Sequence, residues 1–209
     1  MFDKRLSVLK ENFPGLFTGN KSVCFINPRD LTDLDHFNIH NTVIFTDDIR
    51  MYSPLSVVGY NCEPEANLVA DISIVLLPKS KELARELVFM GFMTSPEGFV
   101  VIDGDKKDGI ISIIKELEKE ICYEVKLSKA HGKIAVFRPA NGNLPLNWQV
   151  SKSNKVNNKF ITVPGVFSAD HIDPASELLK KYLPYNLKGS GADFGAGWGF
   201  LTKFLENLD

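Results

Sequence analysis

Between Asp193 and Gly199 the chain alternates one acidic residue and three glycines with Phe194, Ala196 and Trp198, and no other stretch restricts its fold so narrowly. Phe200, Leu201, Phe204, Leu205 and Leu208 follow on one face at helical spacing. A strand, a glycine turn and a helix start make a nucleotide-type cradle, because glycines let the backbone approach a ligand and free N–H groups line the bend. The spacing Gly-x-Gly-x-Gly differs from the dinucleotide fingerprint Gly-x-Gly-x-x-Gly, which argues against a nucleotide-dependent oxidoreductase. A glycine triplet can equally be a loop of permissive residues, so the upstream sequence has to decide.

Upstream, Ile161-Thr162-Val163-Pro164-Gly165-Val166-Phe167-Ser168 leads to an Asp173-Pro174 helix start, the Leu178-Leu179 pair and Leu183-Pro184. With Asp193 two places before the first glycine, the bend resembles motif I of the class I S-adenosylmethionine methyltransferases. The order and spacing over residues 161 to 201 resemble the linker, pre-motif helix and motif I of the ribosomal RNA guanine-N2 methyltransferases that act on the small subunit. The resemblance implies that Gly195, Gly197 and Gly199 cradle the methionine and ribose side of S-adenosylmethionine. It implies that Asp193 meets the amino end directly or through water, and that Phe167 and Ser168 lie near the pocket. A strand-end carboxylate capping the loop's own amides is the plainer role for Asp193, as packing under a sheet is for Trp198.

Two departures qualify the resemblance. The segment before the bend reads Gly189-Ser190-Gly191-Ala192, a weak strand where branched aliphatics are expected. A nucleoside-binding α/β domain also places an acidic residue roughly 20 positions after its glycine loop, and ten residues follow Gly199. The family's Asn-Pro-Pro-aromatic catalytic loop would lie further on, and Pro78-Lys79, at the analogous strand end of the first half, lacks the asparagine and the aromatic. No catalytic residue is therefore assigned. The expectation is a truncated opening of a class I methyltransferase domain over 161–209, inactive in isolation and self-associating through its incomplete segment.

The preceding 140 residues alternate strands and helices. Leu6, Leu9 and Phe13 mark a leading helix ended by Pro14-Gly15. Ser22–Asn27, Thr42–Thr46 and, more weakly, Ser56–Gly59 read as strands. Pro28-Arg29-Asp30 follows the first of these where a cofactor domain would show glycines. Asp71–Pro78 is the clearest central strand, and Ser80 is placed to cap a helix with Leu83, Leu87 and Met90 inward. A strand from Gly98 to Ile102, a helix with Ile110, Ile113, Ile114, Leu117 and Ile121 inward, and a strand over Lys133–Arg138 complete the run. This predicts an α/β fold with a mostly parallel sheet covered on both faces. Leu77–Lys81, the Gly98 strand, Gly109-Ile110 and the Lys133 strand also resemble the N-terminal domain of the same methyltransferases, which implies a degenerate Rossmann-like copy over 1–140 without a cofactor site.

Residues 141–160, rich in Asn, Pro, Gly and Ser, read as a linker. Its Lys152, Lys155 and Lys159 are candidates for a phosphate backbone, with Trp148 for stacking on a base, although a solvated linker needs neither role. The formal charge of −2 provides no global basic field, so RNA contact would have to be local. Cys24, Cys62 and Cys122 are widely spaced and odd in number, which suits buried thiols and no metal. His36 and His40 pair at i, i+4 only in a helix and have no third ligand. The mixed-charge start lacks a secretory apolar core, so the default location is cytoplasmic, away from membranes. The reading is an S-adenosylmethionine-dependent methyltransferase acting on ribosomal RNA or the small ribosomal subunit, and the alternative is a non-catalytic RNA-binding or assembly module of the same fold.

Overall fold

The computed structural model describes residues 2–64, 67–143, 146–149, 154–156 and 159–206, with the backbone alone at 154 and 155. The chain divides into an N-terminal unit, Met1–Gln149, and a C-terminal unit, Val150–Asp209.

In the N-terminal unit, helix α1 (Phe2–Asn12) turns Phe2, Leu6 and Leu9 inward and gives way to a 3-10 turn at Pro14. Strand β1 (Val23–Ile26) is buried along its length, and β2 (Thr42–Phe45) nearly so. Two 3-10 turns, Leu31–Leu34 and Ile39–Asn41, lie between them, so His36 and His40 do not share a helical face, and His36 pairs with Asp3.

Helix α2 (Ile49–Val58) replaces the strand expected at Ser56–Gly59. The Asp48 carboxylate accepts from the Arg50 N–H at 2.9 Å to start it, and Gly59 at φ 105° stops it. Val57 and Val58 are exposed, so their β-branching suggested a strand that no burial supports. Strand β3 (Asn61–Glu63) follows, then β4 (Ile72–Leu76), buried throughout. Helix α3 (Lys81–Thr94) begins as expected, with the Ser80 hydroxyl accepting from the Leu83 N–H. Next come β5 (Phe99–Asp105), α4 (Ile110–Leu117), β6 (Ile121–Lys129) and β7 (Gly132–Gly142). Ile121, expected on a helix, opens β6. The β6–β7 hairpin turns on Ala130 and His131 at φ 46° and 57°, without the Asn or Gly that usually marks such a turn.

The seven strands are ordered β3-β2-β1-β4-β5-β7-β6, and β7 alone runs against the others. Alternate residues feed opposite faces. Cys24, Ile26, Val75, Val100 and Ile102 meet α3 and α4, whereas Phe25, Ile44, Ile74, Val101 and Val136 meet α1 and Leu55 of α2. Chain progression reverses between β1 and β4, the place where open α/β sheets hold ligands at their strand ends. Here Asn27, at φ 60° after β1, donates its amide to the Leu76 carbonyl at 2.6 Å and ties the two ends together.

Parts of the interval 141–160 lie among the described residues. β7 runs to Gly142, Leu146–Trp148 forms a 3-10 turn, and Trp148 is buried in the core beside α3. Its ring is therefore closed to base stacking. Cys24 and Cys62 are buried, Cys24 with its thiol pushed up to about 12 by burial, whereas Cys122 is exposed. No helix among the described residues is long and apolar enough to cross a membrane.

The C-terminal unit contains an antiparallel hairpin, β8 (Asn154–Val156) with β9 (Phe160–Thr162), and two helices, α5 (Pro174–Tyr182) and α6 (Phe200–Leu205). The stretch 189–192, expected as a weak strand, forms none, consistent with two glycines that add no side-chain packing.

Deep in the N-terminal unit, Arg5 donates to both oxygens of Asp103, at 2.5 and 2.8 Å, and both side chains are fully buried. Burial outweighs the guanidinium and raises the Asp103 carboxyl, while Arg29, at 3.3 Å, is its second cation. Arg5→Ala is expected to lower stability by about 3–5 kcal/mol in urea unfolding, because it leaves a buried carboxylate short of its main partner. A loss under ~1 kcal/mol, the worth of an ordinary hydrogen bond, would show that Arg29 suffices.

Between α3 and α4, burial acts to raise the Glu116 carboxyl, but hydrogen bonds from Lys81 and Arg85 prevail and hold it below the ordinary glutamate value. With the folded value depressed, the contribution is complete above the unfolded value of about 4.3 and disappears as pH falls through the folded one. Melting temperatures of wild type and Glu116→Gln are expected to differ at neutral pH and to converge by about pH 3.

Candidate functional site: a glycine bend in the C-terminal unit

After β9 the chain turns at Val163–Val166, with Gly165 at φ 93° and Ser168 at φ 51°, and the Thr162 hydroxyl donates to the Ala169 carbonyl. Thr162 is buried and anchors the returning Pro164–Ser168 segment. Helix α5 then starts where the Asp173-Pro174 pair predicts. The Asp173 carboxylate accepts from the Ser176 N–H at 2.8 Å and from its hydroxyl at 3.0 Å.

The bend itself is built by Gly195, Gly197 and Gly199 at φ 79°, 58° and 86°. These left-handed values favour glycine, and a Cβ at Gly195 or Gly199 would meet nothing within 4 Å. Backbone conformation therefore demands these glycines, and their outer side is open. The Asp193 carboxylate accepts from the Thr202 hydroxyl at 2.8 Å, which ties the start of the bend to the first turn of α6. Trp198 makes the longest-range tie. Its indole N–H donates to the Phe167 carbonyl at 3.1 Å, 31 positions away, and its ring meets Phe160 edge-on at 4.8 Å.

Five sequence candidates thus gather in one place: Phe167 joins the bend through its carbonyl, and Asp193, Gly195, Gly197 and Gly199 form it. Ser168, half-buried, is the next residue after Phe167. The Phe167 and Phe194 rings are exposed. Trp198 packs on Phe160, a residue of β9.

Of the three lysines, Lys152 and the Lys155 side chain lie outside the described residues. Lys159 lines an open pocket of about 370 Å³ with Phe160, Lys180, Phe200 and Phe204. Lys180 Nζ lies 5.7 and 5.1 Å from the Phe200 and Phe204 ring centres. Sequence reasoning assigned those two rings to a helical apolar face and had no signal for Lys180. Among the described residues no three His, Cys, Asp or Glu side chains could hold a metal ion.

The methyltransferase small domain family matches residues 157–208, which include all six candidate cofactor residues. A ribosomal RNA small subunit methyltransferase C from Shewanella loihica is 34% identical over 146 residues, covering 65% of this chain and 42% of the relative. Its counterpart from Psychromonas ingrahamii is 27% identical over 98% of this chain and 62% of its own length. The chain thus spans about half the length of the curated relatives it matches. A solved T. thermophilus 16S rRNA N2 methyltransferase, in complex with AdoMet and guanosine, shares the fold at a TM-score of 0.59 and 19% identity, over 77% of this chain and 47% of that one.

Trp198→Phe keeps the ring and removes the hydrogen bond to Phe167. Amide exchange over residues 164–170 is expected to quicken about fivefold, the equivalent of about 1 kcal/mol. Unchanged exchange would mean that the bend does not restrain that segment.

Proposed function

We propose that the chain, which is similar to the ribosomal RNA small subunit methyltransferase C proteins, carries the donor-side opening of a methyltransferase that takes its methyl group from S-adenosylmethionine and transfers it to guanine N2 of small-subunit ribosomal RNA. In this reading residues 1–140 are a degenerate copy that supports the RNA side, 141–160 connect, and 161–209 begin the domain that holds the donor. The work takes place in the cytoplasm. The sulfonium of the donor supplies an already electrophilic methyl group, which leaves the protein to bind, orient and exclude water.

The observation that carries the reading is the bond from Trp198 to the Phe167 carbonyl. Two segments that resemble methyltransferase elements separately are folded against each other. The open outer side of Gly195 and Gly199 suits a donor's approach to the backbone. Asp193, with one oxygen held by Thr202, has the other for the donor's amino group. Lys159 stands at a basic and aromatic pocket, which fits a phosphate backbone. The exposed rings of Phe167, Tyr182, Tyr185 and Phe194 favour self-association.

The test is radiolabelled methyl transfer from S-adenosylmethionine to small-subunit ribosomal RNA by the gene product that carries this chain. Transfer is expected, with donor affinity weakened roughly ten- to hundredfold in Asp193→Ala by loss of a charge-assisted hydrogen bond. Absence of transfer to any RNA would overturn it. RNA binding that is steeply salt-dependent and indifferent to the donor would instead identify a non-catalytic assembly module.

A further inference from the structure

An aspartate that precedes a turn ordinarily folds its carboxylate onto the backbone N–H two residues on. For Asp193 that partner is the Gly195 N–H, at the start of the left-handed glycines. The structure shows a different choice. Among the described residues Asp193 accepts no bond from the bend's amides, and the Gly199 N–H goes to the Ala196 carbonyl at 2.9 Å. Its carboxylate accepts instead from the Thr202 hydroxyl, nine positions away, at 2.8 Å.

Thr202 also forgoes a nearer partner. A threonine hydroxyl has one proton to donate, and inside a helix it commonly goes to a carbonyl three or four residues back. Here those are Gly199 and Trp198, yet the proton is directed to Asp193. Thr202 is itself fixed in α6, where its carbonyl accepts from the Glu206 N–H at 2.9 Å. Both members of the pair are half-buried, so solvent competes only in part for the bond. A carboxylate offers about four acceptor positions, and this bond uses one of them.

Resting on the donor reading above, we propose that Thr202 is a positioning residue for donor binding. It holds the Asp193 carboxylate off the Gly195 N–H. The carboxylate then remains available to the donor's ammonium, and the amide to the polar end of the same amino-acid moiety. Without the hydroxyl, Asp193 would turn freely or settle on the bend, and binding would have to order or displace it. Immobilising one such side chain corresponds to roughly three- to tenfold in affinity.

The experiment is calorimetric titration of the gene product that carries this chain with two compounds. S-adenosylhomocysteine keeps the amino-acid moiety of the donor, and methylthioadenosine lacks it. Thr202→Val removes the hydroxyl and retains β-branching. It is expected to bind S-adenosylhomocysteine about three- to tenfold more weakly and methylthioadenosine as wild type does. Thr202→Ser, which keeps the hydroxyl, should bind both as wild type does. Added to Asp193→Ala, Thr202→Val should cause no further loss, because the two act through one interaction. Unchanged affinity for S-adenosylhomocysteine in Thr202→Val, or an equal loss for both compounds, overturns the positioning role. The second result would mark Thr202 as merely structural. Weakening by Asp193→Ala with no effect of Thr202→Val overturns this inference alone, whereas no binding of S-adenosylhomocysteine by wild type overturns the donor reading with it.

Discussion

The guanidinium of Arg5 and the carboxylate of Asp103, 98 positions apart, meet with neither exposed to solvent, and the N-terminal unit is arranged to keep them together. Desolvating two charges costs several kcal/mol per ion, so such a pair persists only when further hydrogen bonds complete it. They do so here. Arg5 also donates to the Ala130 carbonyl at 3.1 Å and lies 3.0 Å from Asp105, and Arg29 reaches Asp103 from the segment after β1. Ala130 presents that carbonyl from a left-handed turn, and the next strand begins with Gly132, where a Cβ would collide with the Arg5 guanidinium and the Gly104 backbone. One ion pair thus explains where α1 docks, why the hairpin turns on strained residues and why a glycine follows.

The two units treat a residue after a strand or strand-like segment in opposite ways. In the N-terminal unit a left-handed Asn27 uses its side chain to fasten the end of β1 to the end of β4, across the reversal point of the sheet. In the C-terminal unit left-handed glycines leave the bend without side chains and open on its outer side. The backbone conformation is similar, but the side chain decides whether the space is filled or offered.

Similarity to relatives extends over nearly the whole chain in one comparison and over the methyltransferase small domain in another. In the C-terminal unit a hairpin and two helices carry many exposed apolar side chains, Phe194 most of all. Elements of this kind bury their faces only against further layers of structure. The N-terminal unit, by contrast, covers both faces of a seven-stranded sheet with its own helices.

Much was legible in the sequence where the controlling interactions are local. Ser80 and Asp173 cap the helices that follow them, the stretch Asp71–Pro78 supplies the buried central strand Ile72–Leu76, and the glycine bend turns where its residues allow positive φ. Caps that outweigh β-branched residues, and long-range partners, decided the rest. The stretch at Ser56–Gly59 is helical because Asp48 starts the helix and Gly59 ends it, and Ile121 joins a strand because β7 lies ready to pair with it. Trp148 sits in a core that its polar neighbours conceal. By itself the sequence determined the α/β alternation, the caps and the bend, since propensity and capping act within a few residues. Only the tertiary structure decided the Arg5–Asp103 pairing, the closed end at Asn27 and the bond from Trp198 to Phe167, because burial and hydrogen bonding join residues that spacing along the chain does not relate.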